Sequence, residues 1–163
     1  MYDEVFRIPL LVQMPGGRPG TVSQFVRLMD LMPTFVALGG ARLPQPVDGR
    51  SLVPLMQGED PGDWPDSIYC ESHGEVWGYS SQRMVRNEQW KYVYNPHDMD
   101  ELYDLEADPW EMKNRINDSG SVDALQEMKG RLIGWNDFTD DMFQWNWVRW
   151  NFPEPILPCG AKE

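Results

Sequence analysis

Ser80–Asn95, SSQRMVRNEQWKYVYN, is the stretch from which the fold can be read. Residues around Met84-Val85 and then Trp90–Tyr94 form two short runs rich in β-branched and aromatic side chains. Asn87-Glu88 between them has the composition of a tight connection, so the stretch reads as an antiparallel hairpin. The same texture occurs upstream in SIYCES (67–72) and downstream in ELYDL (101–105), which extends the hairpin to an antiparallel sheet of three or four strands. A helix is expected over about Ser121 to Phe138, where Val122, Leu125, Met128, Leu132 and Trp135 recur at helical spacing and can cover one face of the sheet. Gly130 and Gly134 each cost that helix about 1 kcal/mol relative to alanine, which points to close packing at those positions. In Asp108-Pro109-Trp110-Glu111, an acid at N-cap, proline at N1 and glutamate at N3 form a capping box ahead of a short helical turn.

The amino-terminal part has a different texture. Arg7–Met14 contains the apolar run Ile8, Leu10, Leu11 and Val12 and ends at Pro15-Gly16-Gly17, as a strand buried on both faces would. FVRLMDLMPTFVALGG (25–40) reads as a short helix with Asp30 at the N-cap, Pro33 in its first turn and Gly39-Gly40 as the stop. SLVPLMQG (51–58) repeats the device with Ser51 as cap. The Pro- and Gly-rich GEDPGDWPD (58–66) marks the subdomain boundary. The class is therefore α+β: a small antiparallel sheet packed by a carboxy-terminal helix, preceded by a strand and a short helix.

The chain has 163 residues, enough for a core that buries about two thirds of the surface its unfolded form exposes. Its 26 acids against 14 Lys and Arg give a net charge of −12, which disfavours a nucleic-acid backbone or an anionic membrane as partner. No apolar stretch approaches the roughly 20 residues that span a bilayer, and acids stand where a signal peptide would carry Lys or Arg, so a soluble chain is expected. Two cysteines, Cys70 and Cys159, do not make a disulfide framework, and the compartment stays open.

With only two histidines, acid–base and metal chemistry have few sources. His73, in CESHGEVWGY (70–79), follows a predicted strand and is flanked by glycine, so it is a candidate for substrate contact, with Glu71 and Tyr79 as companions. The competing reading is an ordinary loop histidine. His97 in NPHDMDE reads as a solvated turn residue. The acids of DMDELYDLEADPWE fail the EF-hand test, because counting from Asp98 puts Leu102 at the fifth loop position and Tyr103 at the sixth, where glycine belongs; capping and turn-making explain them better. Neither cysteine has an activating neighbour. Phe143, Trp145 and Trp147 alternate, with Trp150 and Phe152 following, and read as the buried face of an extended tail before they read as a sugar-stacking stripe.

Five phrases occur in this order: EVFRIPLLVQMPGG, VRLMDLMPTFVALGG, VDGRSLVPLMQG, RMVRNEQWKYVYN and ELYDLEADPWEMKN. Together they resemble the carboxy-terminal third of the sulfatases of the alkaline phosphatase superfamily, over about Met1 to Trp135. The resemblance implies that residues 1–62 end a large α/β catalytic domain, that 63–138 form a small antiparallel-sheet-plus-helix subdomain, and that 139–163 are a Trp- and Pro-rich tail. It implies hydrolysis of sulfate esters with a formylglycine, made from the Cys or Ser of C/S-x-P-x-R, and a divalent cation, Ca or Mg. Neither cysteine here lies in that motif, so no catalytic residue, metal ligand or cofactor is assigned to this chain, which alone is expected to be inactive. The family's small subdomain lines the substrate cleft, and by that position Glu71, His73, Trp77 and Tyr79 are the expected substrate contacts. Two other functions compete: a non-catalytic carbohydrate-binding or interaction module using the tail, and a segment of a related phosphodiester or phosphonate ester hydrolase. The strand at Arg7–Met14, if its neighbours are elsewhere, is expected to leave Ile8–Val12 exposed, covered by the tail, or paired with a second copy of the chain.

Overall fold

The computed structural model describes residues 1–16, 19–74, 81–96, 98–141 and 151–160, in two units: Met1–Ile8 with Asp66 onward, and Pro9–Pro65. The first unit holds the sheet. Strands β1 (Ile68–His73), β2 (Ser81–Arg86), β3 (Trp90–Tyr94) and β4 (Glu101–Asp104) pair antiparallel in sequence order. The β2–β3 connection is three residues long, one more than expected, because the Asn87 side-chain oxygen accepts from the amides of Gln89 (3.0 Å) and Trp90 (2.6 Å) and forms the turn itself.

Register sorts the side chains onto two faces. Tyr69, Val85, Tyr92 and Leu102 lie directly across from one another, and helix α4 (Val122–Thr139) covers this row with Met128, Leu132 and Trp135. Each such fully buried apolar side chain contributes about 1.5–3 kcal/mol. Trp135 stacks on Tyr69 with ring centroids 6.2 Å apart, and its indole N–H donates to Ser67 Oγ at 3.0 Å. The outer edge of β4 does not stay bare: the Asn114 side-chain oxygen accepts from Leu102 N, and Arg115 N donates to the Leu102 carbonyl.

The glycines of α4 fit under residues 151–160. Ile156 N donates to the Gly130 carbonyl at 2.9 Å, and a Cβ on Gly130 would stand 2.9 Å from the Glu154 carbonyl oxygen. A Cβ on Gly134 would fall inside the Ile156 carbonyl group. Phe152 packs against Tyr92 and Tyr94 with the Lys129 ammonium 5.3 Å above its ring, so this tail aromatic belongs to the core. Phe143, Trp145, Trp147 and Trp150 lie outside the described residues.

The opposite sheet face carries charge. Lys91 is fully buried there; its ammonium bonds Glu111 and, at 2.8 Å, Asp3 in the one-turn helix α1 (Asp3–Phe6), while Arg86 lies 3.4 Å from Asp3. Glu111 also accepts from Asp3 N at 2.7 Å. This corrects the capping-box expectation: Glu111 has φ 55°, a left-handed backbone that turns its carboxylate inward, and Asp108 instead accepts from Lys113 N. The acid cluster is spent on turns and hydroxyls in the same way. Asp100 takes the Tyr92 hydroxyl at 2.6 Å and Asn95 N at 2.9 Å.

In the second unit, α2 (Leu31–Leu38) follows a short 3-10 turn over Leu28–Asp30. Asp30 occupies the N-cap position, yet its buried carboxylate accepts from Arg27 N (2.7 Å) and Arg50 N (2.8 Å), tying the VDGRS loop to the helix start. At α3 (Val53–Met56) the N-cap is Leu52, and Ser51 Oγ accepts from Val53 N at 3.3 Å. Leu52, Leu55 and Trp64 make a small core, with the Trp64 indole donating to the Phe25 carbonyl.

The strand expected at Arg7–Met14 is not formed. These residues pair with no strand of the sheet, and Ile8, Leu10, Leu11 and Val12 are 58, 42, 91 and 52% exposed. An apolar run signals burial, but a strand also needs a neighbouring strand for its N–H and C=O groups, and none of the four strands takes this segment as a neighbour.

Candidate functional site

Register also builds the one polar site that the sequence singled out. On the α4-facing side of the sheet, Glu71 lies opposite Arg83 and His73 opposite Ser81, where β1 and β2 reach the end of their hairpin. His73 Nε2 is 2.9 Å from Glu71 Oε2, and His73 Nδ1 is 3.1 Å from Ser81 Oγ. Arg83 NH1 donates to Ser81 Oγ at 2.8 Å, and its NH2 approaches Glu71 Oε2 at 3.7 Å, which closes a ring of four side chains. From the end of α4, Asp141 grips the buried Arg83 through Nε (2.5 Å) and NH2 (3.1 Å) and accepts the Tyr69 hydroxyl at 2.5 Å.

The ring fixes proton positions. A carboxylate only accepts, so His73 carries its proton on Nε2 toward Glu71. A guanidinium only donates, so Ser81 Oγ accepts from Arg83 and keeps one proton and one lone pair with which to meet His73 Nδ1. Both imidazole nitrogens are therefore engaged by the protein, and the exposed face of the ring is the part left for a ligand. Burial works against the Arg83 charge, but the hydrogen bonds to Asp141 and the nearby anions outweigh it and hold the guanidinium above its ordinary value. Burial, and after it the bond to Asp141, pushes the Tyr69 hydroxyl far up, so it stays a donor.

Of the four expected contacts, Glu71 and His73 are brought together, the imidazole largely exposed and the carboxylate about one-third exposed; Trp77 and Tyr79 lie outside the described residues, as does His97. Sequence reasoning missed Arg83, Ser81, Tyr69 and Asp141. Arg83 could have been found from period two, since it shares a face with Val85 and a cation on a core face needs an anion. Cys70 is half-buried in β1 and Cys159 exposed, both as thiols.

The family is decided by comparison with known proteins. The model for the carboxy-terminal region of N-sulphoglucosamine sulphohydrolase matches residues 1–137. The chain belongs to the sulfatases. It is similar to an uncharacterised sulfatase of Escherichia coli, YidJ, at 30% identity over 159 residues, spanning 92% of this chain but only 31% of that relative. Among solved structures, a 2-O GAG sulfatase superposes with a TM-score of 0.66 at 28% identity, covering 82% of this chain and 30% of the other. A phosphonate monoester hydrolase of Agrobacterium radiobacter (TM-score 0.64, 24% identity, 71% of this chain and 26% of the other) shares the fold alone. The sulfatase chain is thus a carboxy-terminal portion, mixed α and β, with a four-stranded antiparallel sheet and a carboxy-terminal helix.

Among the described residues no group of three or more His, Cys, Asp or Glu could hold a metal ion, and neither cysteine of the sulfatase chain stands in C/S-x-P-x-R. The residues present therefore do not fit the divalent cation or the formylglycine that the family implies, and no chemistry of this chain is routed through either. Among the described residues no helix is long and apolar enough to cross a membrane.

Proposed function

We propose that this chain supplies the carboxy-terminal portion of an enzyme that hydrolyses sulfate esters, and that its β1–β2 edge meets the alcohol part of the ester. The observation that carries the first half is the sulfatase family match over residues 1–137. On this reading residues 1–62 complete a catalytic α/β domain, residues 63–138 form the substrate-side subdomain, and the formylglycine and cation are held by residues outside this chain.

The second half rests on the Glu71–His73 pair. Glu71 Oε2 is turned to His73 and Arg83, which leaves Oε1 to accept hydrogen bonds from hydroxyl groups of a substrate, and the exposed imidazole offers a flat face to a sugar ring. Trp77 and Tyr79 follow His73 by four and six residues in the sequence and are proposed as substrate contacts on that ground alone. A sugar sulfate suits such a site better than a small aryl sulfate, and the superposed relative is a 2-O GAG sulfatase.

The test uses the complete protein that carries this chain, assayed for sulfate release from 4-nitrophenyl sulfate and from sulfated glucosamine, with a phosphonate monoester as control. Sulfate release is expected, and Glu71→Gln should raise KM for the sugar sulfate roughly fivefold or more, the worth of one charge-assisted hydrogen bond, while leaving the aryl sulfate unaffected. Hydrolysis of the phosphonate ester alone would overturn the assignment. Turnover by the 163-residue chain by itself would overturn the division of labour.

A further inference from the structure

The family model matches residues 1–137, and the residue that grips the candidate site lies just past that span. Helix α4 stops at Thr139 because Asp140 takes a left-handed backbone (φ 54°), and the amides of Asp140 and Asp141 both turn back onto the Asn136 carbonyl. That stop delivers the Asp141 carboxylate to Arg83 and Tyr69. We propose that Asp141, acting through Arg83, is a positioning residue that sets the geometry of the Glu71–His73 pair for the alcohol part of the substrate; this rests on the reading of that pair given above.

The argument runs through the guanidinium. The Arg83 side chain is 2% exposed and cannot turn to water, so its orientation is set by the groups around it, Asp141 on one side and, on NH1, Ser81 Oγ and the Gln82 carbonyl at 3.1 Å. Asp141 takes Nε and one edge of NH2 in a bidentate grip, which fixes the plane of the group. With the plane fixed, NH1 reaches Ser81 Oγ at 2.8 Å while NH2 stays 3.7 Å from Glu71, too long for a hydrogen bond and close enough for attraction. Glu71 is thereby left to His73 at 2.9 Å. Without the Asp141 charge, Arg83 still has the Glu71 carboxylate 3.7 Å from its NH2. It would draw that carboxylate inward, release His73 from Nε2, and remove the acceptor from the surface. Asp141 meets the Glu71–His73 pair through Arg83, which stands between them in the ring of contacts.

The proposal is tested at two levels. In the 163-residue chain, the ring nitrogens of His73 are read by ¹⁵N NMR, with His97→Gln removing the other histidine signal. Asp141→Asn should shift both His73 ring nitrogens and abolish the slowly exchanging Arg83 Nε–H, whereas Asp140→Asn, at the exposed neighbour, should change neither. Unchanged His73 signals in Asp141→Asn would overturn the coupling. In the complete enzyme, Asp141→Asn should raise KM for a sugar sulfate about as much as Glu71→Gln does, with kcat and the aryl sulfate parameters within about twofold of the parent. Asp141→Glu, which restores the charge on a longer arm, should recover part of the loss and also serves if the Asn variant does not fold. If Glu71→Gln raises KM and Asp141→Asn does not, the positioning role fails alone. If neither does, the substrate reading fails and the positioning role with it.

Discussion

At the scale of single residues, the most consequential groups are charged ones placed where no charge belongs without a partner. Lys91 is fully buried and the Glu111 side chain 1% exposed, so each depends on the other for the compensation water would give. Lys91→Met is expected to destabilise the chain by about 3–5 kcal/mol, because Glu111 then keeps a buried charge with no cation on it. Adding Glu111→Gln should return more than half of that loss: the amide oxygen still accepts from Asp3 N, and the uncompensated charge is gone. Urea unfolding midpoints of the three proteins decide the matter, and a loss below about 1 kcal/mol for the single variant would show that the pair is not buried as described. Half of this arrangement was legible. Alternation along WKYVY puts Lys91 on the same side as Val93, a visible conflict between charge and burial. The partners were not legible, because Glu111 lies in a turn that resembles a helix cap, and Asp3 is 88 residues from Lys91. Arg83 poses the same problem, with its anion 58 residues away at Asp141. Glu71 and His73 were singled out from a glycine-flanked segment after a predicted strand and from the family's subdomain position; in the structure both lie on β1, two residues apart, where the strand period brings their side chains together.

At the scale of elements, local pattern carried the reading wherever an element is completed by its sequence neighbours. The four strands pair in sequence order, each with the next, and α4 differs by one residue at each end from the helix that its apolar spacing predicts. Arg7–Met14 shows the converse, since its composition called for burial and its pairing could not be read from composition. The two α4 glycines were legible as close-packing sites, but not the segment that packs there. That segment supports a prediction with opposite signs in two contexts. In an isolated helix Gly134→Ala gains about 1 kcal/mol of propensity. In this chain the added methyl would collide with the Ile156 backbone, which cannot withdraw as a flexible side chain could. Gly134→Ala should therefore lower Tm in the full chain and raise it, or leave it unchanged, in a chain ending at Asp141. Calorimetry of the four proteins tests this, and a rise in both contexts would mean that residues 151–160 are not seated on α4.

At the scale of the whole molecule, the pattern of tyrosines links core packing to pH. Tyr69, Tyr92 and Tyr103 are buried in the sheet, and for each of them burial is the first cause that raises the hydroxyl well above its ordinary value. Hydrogen bonds add to it: to Asp141 for Tyr69, to Asp100 for Tyr92, and with Tyr2 for Tyr103. Tyr94 is raised in the same direction by burial and then by Asp100. An unfolded tyrosine ionises near pH 10, so above that pH the unfolded chain loses protons that the folded chain keeps. The unfolded state then binds fewer protons than the native one, and stability falls as pH rises. The contribution of these hydroxyls is fully present below about pH 10 and is lost progressively above it. The sequence has six tyrosines, of which these four should resist titration while the sheet holds. Absorbance at 295 nm due to these four is expected to rise in a cooperative step that coincides with loss of the far-ultraviolet circular dichroism signal. Tyr69→Phe should make that step smaller by one tyrosine and move its midpoint to higher pH or leave it unchanged, because one group that must ionise on unfolding has been removed. A single smooth titration of all six with the circular dichroism intact would mean that the hydroxyls are in contact with water and that the core described here does not form.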